Sequence, residues 1–362
     1  MACDPPPPPA IISSASLGAM DSARPTASVA ATPLRGDPAD TLRLRRTIVD
    51  PTGFRRLRRL AVVGDALVAA DQLQSPHMSV FRVSDGSLIH RLGAQGTGDG
   101  QVIDPAWIIP VAAQPPEAWV FDYQRQRLLL VRLTAPPDSA ISEVIPLRTS
   151  GWITQPIWIG GRLIANGLFS DFTLALLDRT GKTVSRIAAD PPFDSSAYAD
   201  SAGRATLNRN ELAADPAGKR FVLAYHNVNR LDFFHATGAR YASVMGPRPA
   251  IATFSEHEGH LAYDKDARIA YAQVEATPDH VYALFCGCPR GRPQAYPTTL
   301  HVFTWDGAFV REIAFDRPVL GMAIDGDARL FAHFLTPLPE IGEFSLDGNA
   351  AMARRPLVAA GR

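Results

Sequence analysis

The same hairpin recurs along this chain. An apolar or aromatic strand runs into a two-residue turn, Asp-Gly or Thr-Gly, at Asp85-Gly86, Thr180-Gly181, Thr237-Gly238, Asp306-Gly307 and Asp347-Gly348. Asp-Gly supplies the positive φ angles that a tight hairpin turn needs, and in Thr-Gly the glycine does so alone. A degenerate sixth copy is Leu128–Leu133 followed by Pro136-Pro137-Asp138. A second family of short turns precedes each hairpin: Gly64-Asp65, Pro115-Pro116-Glu117, Gly160-Gly161, Asp215-Pro216-Ala217-Gly218, Thr277-Pro278-Asp279 and Asp325-Gly326-Asp327. Six copies of each turn predict six units of four antiparallel strands. Thr41 to Gly348 then divides into about 51 residues per unit, close to the period of a radial repeat. The fold class expected is all-β, a six-bladed β-propeller; a seven-bladed ring is the alternative, and a sandwich or two domains are less consistent with so regular a count.

The last unit supplies only three strands, Val319–Ile324, Arg329–Leu335 and Ile341–Leu346. An open edge is a liability for a ring. Thr41–Ile48 alternates polar and apolar residues and is predicted to close the ring as the outer strand of the last blade. Three regions follow: a Pro-rich tether at 1–40, with Pro5 to Pro9 in one run, a propeller at 41–350 and a tail at 351–362. Cys3 stands just ahead of that tether, as in a lipid-anchored envelope protein, although no charged and apolar leader precedes it here. Cys3 is therefore the lipidation candidate, and a cytoplasmic tail is the alternative.

Composition narrows the function classes. Lys+Arg and Asp+Glu are 36 each, so no electrostatic footprint for nucleic acid is present, and membrane contact is expected only through a lipid anchor. Cys286-Gly-Cys288 reads as two buried or half-buried strand cysteines, with a redox or metal pair as the alternative, being too closely spaced for an unstrained disulfide and without a second pair at zinc spacing. Gly93–Gly100 lacks the spacing and the βαβ context of a phosphate loop and reads as a connection between units. Glu256-His257-Glu258-Gly259-His260 is dense in metal-capable side chains but has no helical setting, and reads as a solvated loop.

In a four-stranded meander the first and third connections leave at one end and the second and fourth at the other. The short turns above are all first or third connections. The long ones, Gln72–His77, Gly93–Pro105, Asp190–Thr206, Gly246–Ala262 and Gly287–Thr298, are all second or fourth. Recognition is expected on the end that carries the long connections. Asp122, Asp171, His226, Asn227, Asn229 and Arg230 fall there and are the candidate ligand-binding residues. The expected ligand is a protein partner or a small polar molecule, with no cofactor. The alternative is a lactonase, hydrolase or lyase using calcium or another divalent metal at the channel mouth, with Glu211, Asn166 and Asp122 as ligands. No Gly-x-Ser-x-Gly elbow is present, so no catalytic residue is assigned.

Several stretches resemble the TolB-like and NHL-like six-bladed propellers of bacterial envelope proteins. Gly96-Thr97-Gly98-Asp99-Gly100-Gln101-Val102 keeps the glycines of that family's loop between first and second blades but lacks its Pro, Glu and Phe. Ala224–Phe234 and Glu275–Phe285 are similar to its fourth and fifth blades. The resemblance spans most of residues 47–348. It implies a propeller exported to the envelope, periplasmic or anchored by lipid, with a non-catalytic or uncharacterised role, and it transfers no active site.

Overall fold

The computed structural model describes residues 40–346, apart from 43, 51–52, 170–173, 188–191, 194–200, 258–259, 291–295 and 335–338. Its architecture is the six-bladed propeller. The inner strands are Leu57–Val63, Pro105–Val111, Trp152–Ile159, Asn210–Ala214, Arg268–Ala276 and Gly321–Asp325, for blades 1 to 6. Each adjoins the inner strand of the next blade, including the sixth with the first, so the ring is complete. The outer strands are Leu88–Leu92, Ile141–Pro146, Thr183–Ile187, Arg240–Met245 and Phe309–Ala314 for blades 1 to 5.

The outer strand of blade 6 comes from the other end of the chain. Leu44–Ile48 pairs antiparallel with Glu340–Ser345, with Ile48 opposite Ile341 and Leu44 opposite Phe344. The closure expected from the missing fourth strand is therefore present, with one difference. Thr41–Ile48 is not one strand. Asp40–Thr41 lies parallel to Phe309–Ala314 and gives blade 5 a fifth strand. Leu42 donates its N–H to the Ala314 carbonyl and is buried in the core between blades 5 and 6. Burying that single leucine turns the chain from one blade to the next.

Six hydrophobic clusters line up with the six blade interfaces. One joins Met78 and Val80 of blade 1 to Val120 and Leu129 of blade 2. The next joins Phe121 and Leu128 to Leu163 and Ala165. The others follow between blades 3 and 4, 4 and 5, 5 and 6, and 6 and 1. Successive side chains of a strand point to opposite faces. Val68 therefore packs toward blade 2 while Leu67 packs toward blade 6. A strand buried on both faces reads as a continuous apolar run rather than an alternation, and Ala66–Asp71 is buried throughout.

The Asp-Gly and Thr-Gly turns have a second duty. Gly86, Gly181, Gly238 and Gly307 each contact the outer strand of the preceding blade, because the blades twist from the channel to the rim, and Asp347-Gly348 lies outside the described residues. Gly181 has φ +77°, and a Cβ there would lie 2.2 Å from the Pro146 carbonyl oxygen; a Cβ on Gly307 would lie 2.7 Å from a Val244 methyl. The turn thus fixes both the hairpin and the distance between blades.

Truncations test the closure. Removing residues 1–39 should leave the melting temperature essentially unchanged. Removing 1–49 exposes the Ile48 and Leu42 sites and opens the ring. Losing two buried aliphatic side chains and a strand costs several kcal/mol, or roughly 10 °C or more in Tm by thermal denaturation. Equal melting temperatures would contradict the closure.

Candidate functional site

Asp122 ends the second strand of blade 2 and is fully buried. Its carboxylate accepts the N–H groups of Ile103 and Asp104 at 3.3 and 3.1 Å and pairs with Arg127 at 3.3 Å. Asp71 holds the corresponding position in blade 1 and accepts four backbone N–H groups, from Arg55, Arg56, Leu73 and Gln74. The shared arrangement marks both as anchors of long connections. A short carboxylate that accepts several backbone N–H groups fixes a loop lacking a ladder of its own.

The residues singled out in blade 4 lie at the same end of the strands and are also buried. Arg230 binds Asp232 through Nε and Nη2, both at 2.8 Å. Asn229 donates to the Gly246 carbonyl at 2.9 Å. Asn227 donates to the carbonyls of Thr206 and Leu207 and accepts the hydroxyl of Tyr263 at 3.0 Å. His226 Nδ1 lies 3.1 Å from the Tyr271 carbonyl, and the Ala270 N–H donates to the His226 carbonyl at 2.7 Å. Burial holds the His226 pKa down to about 3, so the ring is neutral and Nδ1 carries its proton toward Tyr271. These side chains tie the two connections of blade 4 to each other and to blade 5. Asp171 and Cys3 lie outside the described residues.

In blade 4 the candidate residues and the Gly238 turn stand at opposite ends of the strands, as the connection lengths require. The large exposed hydrophobics of the described residues sort the same way. Leu44, Val184, Tyr241 and Val310 are on outer strands. Val49, Leu73, Trp152, Leu168, Ile251 and Tyr296 are at the end with the long connections, and none is on a tight turn. Trp152 pairs in register with Leu168 and meets the Tyr123 ring edge-on at 5.7 Å, giving an aromatic patch across blades 2 and 3.

The channel holds a charged group that sequence reasoning did not assemble. Arg59 of blade 1 lies 3.5 Å over the Trp107 ring of blade 2, 3.0 Å from Glu275 of blade 5 and 3.9 Å from Glu211 of blade 4. Glu275 also accepts from Gln273 Nε2 at 2.6 Å, whereas Glu211 Oε2 accepts no hydrogen bond among the described residues. Burial raises both carboxyls; Glu211 reaches about 7, with Arg59 and Arg209 opposing the rise. His333 is buried with both ring nitrogens unpartnered among the described residues, and desolvation, then Arg59, lowers its pKa to about 3. Two glutamines connect inner strands around the channel. Gln155 donates to and accepts from the backbone of Leu212, both at 2.7 Å, and Gln273 does the same with Met322 at 2.7 and 2.9 Å. Arg59 and Glu275 lie more than 200 residues apart in sequence, so no local spacing announces them.

Glu211, Asn166 and Asp122 each have protein partners in the structure. Glu211 faces Arg59, Asn166 donates to Asn210 at 2.8 Å, and Asp122 anchors a loop. Among the described residues no three His, Cys, Asp or Glu side chains gather at metal-binding distance. Phe254–His257 and His260–Tyr263 form a hairpin in the connection from blade 4 to blade 5, with His257 paired to His260, and Glu258 and Gly259 lie outside the described residues.

The reading of two separate strand cysteines is corrected. Cys286 and Cys288 are joined as a disulfide, with Cα atoms 4.9 Å apart. Residues i and i+2 of a regular strand stand about 6.6 Å apart. Here the strand bulges, with pairing that skips between Ile269–Cys288 and Tyr271–Phe285, and Gly287 adopts φ +58°. The bulge draws the two cysteines together.

The ionisation of Glu211 yields a pH test. Its folded pKa lies above that of an exposed glutamate, so the folded state binds the proton more tightly. Stability from this group is then lost as pH rises from about 4.5 through about 7. Glu211→Gln should therefore gain melting temperature relative to wild type between pH 5 and pH 8. A difference independent of pH would contradict the assignment.

Comparison with known proteins gives the same architecture. A candidate exported protein of Bacteroides fragilis superposes with a TM-score of 0.55 at 12% identity, covering 86% of this chain and 97% of that one. A DUF4221 family member of Bacteroides vulgatus gives 0.50 at 10%, over 85% and 97%, and U3-55K gives 0.51 at 9%, over 83% and 98%. At such identities the likeness is one of fold. No curated protein matches the sequence. The profile of the TolB-like 6-blade propeller-like family matches residues 49–327, well over half of the chain, and the chain belongs to that family.

Proposed function

We propose that this propeller is a non-enzymatic binding or assembly module of the bacterial cell envelope, and that it meets its partner through the end carrying the long connections. The observation that carries the reading is the segregation of exposed apolar side chains. Leu73, Trp152, Leu168, Ile251 and Tyr296 are at that end, and the tight-turn end has none among the described residues. Exposed apolar surface rimmed by polar groups marks interaction sites. Asp122, His226, Asn227, Asn229 and Arg230 serve this face from beneath, by fixing the connections that display it. The likeness to a candidate exported protein and the family membership support an envelope location.

Photo-crosslinking tests the face. A crosslinking residue placed at Leu73, Trp152 or Ile251 should yield protein adducts in envelope extracts, and one at Asp85 or Thr180 should not. Adducts confined to the turn end would reverse the assignment.

Cys3 tests the location. If it is acylated, the protein sediments with membranes and Cys3→Ser moves it to the soluble envelope fraction. A free Cys3 thiol in soluble wild-type protein would end the lipid-anchor reading.

A further inference from the structure

The inner and second strands of blade 5, Arg268–Ala276 and His280–Pro289, are the longest among the described residues. The third strand, Thr299–Thr304, begins opposite Phe285. Residues 286–289 therefore extend past it, paired with the start of the inner strand. Arg290 continues the pairing by donating its N–H to the Ala267 carbonyl at 2.8 Å. The result is a two-stranded lip at the end of the long connections, with the Cys286–Cys288 disulfide on it. Both cysteines are half-buried.

Two features argue against a structural staple. The disulfide closes a loop with one residue between the cysteines, and the constraint a disulfide places on the unfolded chain grows with loop length, so here it is near its minimum. The blade is already held without it, by the ladder to Thr299–Thr304 and by the cores on both faces. Two features favour chemistry. Arg268 donates to the carbonyl of Gly287, between the two cysteines, at 2.6 Å. Arg290, next in the chain after Pro289, is held 3.6 Å over the Tyr263 ring. A cation held beside a disulfide stabilises the thiolate expelled when the bond is opened. Tyr263 is in turn fixed by Asn227, and His226 is bonded to the inner strand at the base of the lip. The buried polar residues of blade 4 thus fix the Tyr263 ring under Arg290 and the inner strand at the base of the lip.

We infer that Cys286 and Cys288 form a thiol–disulfide exchange site for dithiols of protein substrates. One substrate thiolate attacks one sulfur of the pair. The Cys286–Cys288 bond breaks, a mixed disulfide forms, and the expelled cysteine thiolate takes a proton. The second substrate thiol, losing its proton, attacks the mixed disulfide at the substrate's own sulfur and expels the other cysteine. Two electrons and two protons pass from the substrate dithiol to the pair, which leaves as two thiols while the substrate leaves as a disulfide. The site lies on the face proposed for partner binding, but its chemistry can be measured with no partner present.

The test uses the folded, full chain. Trypsin releases both cysteines in one peptide, residues 269–290, so differential alkylation reports their state. In glutathione buffers of graded ratio the pair should pass reversibly from disulfide to dithiol without loss of the folded β-sheet signal, within a range where a structural disulfide stays oxidised. Reduced ribonuclease A then serves as the dithiol probe: the oxidised protein should transfer about one disulfide per chain, and Cys286→Ser/Cys288→Ser none. The double variant should melt within a few degrees of wild type, as expected for so short a loop. The inference fails if the pair stays oxidised at every glutathione ratio while the protein is folded. It also fails if the peptide carries free thiols after aerobic purification, or if ribonuclease gains disulfides equally with the double variant.

Discussion

Every blade of this molecule is buried on both faces, and that one constraint organises the rest. A sheet sandwiched between two others has no solvent side, so its stability depends on having a neighbour in each direction. A linear array would leave the first and last blades half uncovered, and closing the ring removes both deficits together. Here the closure depends on five residues, Leu44–Ile48, completing a blade whose other strands are nearly 300 residues away. Leu42 adds a second tie by binding blade 5 to blade 6 just before that strand begins. The chain therefore reaches its full set of interblade cores only after its last blade is made.

The channel shows the same dependence in polar form. Inner strands are too far apart to share a backbone ladder, and side chains take over. Gln155 and Gln273 each present an amide to one backbone N–H and C=O of the next blade. Trp107 donates to the Thr154 carbonyl at 2.9 Å, and Arg59 reaches across to two blades on the far side. One guanidinium facing two carboxyls cannot fully compensate both in a desolvated space. The closer one, Glu275, has a hydrogen-bond donor besides, and Glu211 is left as the group that protonates near neutrality.

Blade number, strand order and ring closure were legible in the sequence because they rest on local signals. Gly86, Gly181, Gly238 and Gly307 mark turns that require a positive φ, and this requirement does not depend on distant residues. The site was legible only as a direction. Connection lengths located the end of the strands where Asp122 and Arg230 sit, but not their burial, since a polar residue in a loop reads alike whether it faces water or the backbone of a neighbouring strand. The Arg59 cluster was hidden for a different reason. Its members meet only when six units close, and each lies alone in an ordinary inner strand. The break of the N-terminal strand at Leu42 was invisible because the alternation continues through it. The disulfide was misread because spacing was judged for a regular strand, and a bulge is a property of the pairing, not of the residues Cys286 and Cys288 alone.

Burial also decides which groups remain available for recognition. The channel is crossed by Arg59 and lined by side chains committed to neighbouring blades. A ligand entering it would have to displace an ion pair and leave a buried charge uncompensated, which is costly in a desolvated space. The second connection of blade 4 is likewise engaged, since Asn227 binds two carbonyls and Tyr263, and His226 binds blade 5. Polar groups committed in this way stiffen the loops around them. They leave two kinds of surface beyond them at the same end of the molecule: the apolar patch of Tyr123, Trp152 and Leu168, and the disulfide-bearing lip of blade 5. On the proposed reading, recognition by this propeller is displaced from its axis to the connections between strands, and rigidity there comes from the buried side chains beneath them.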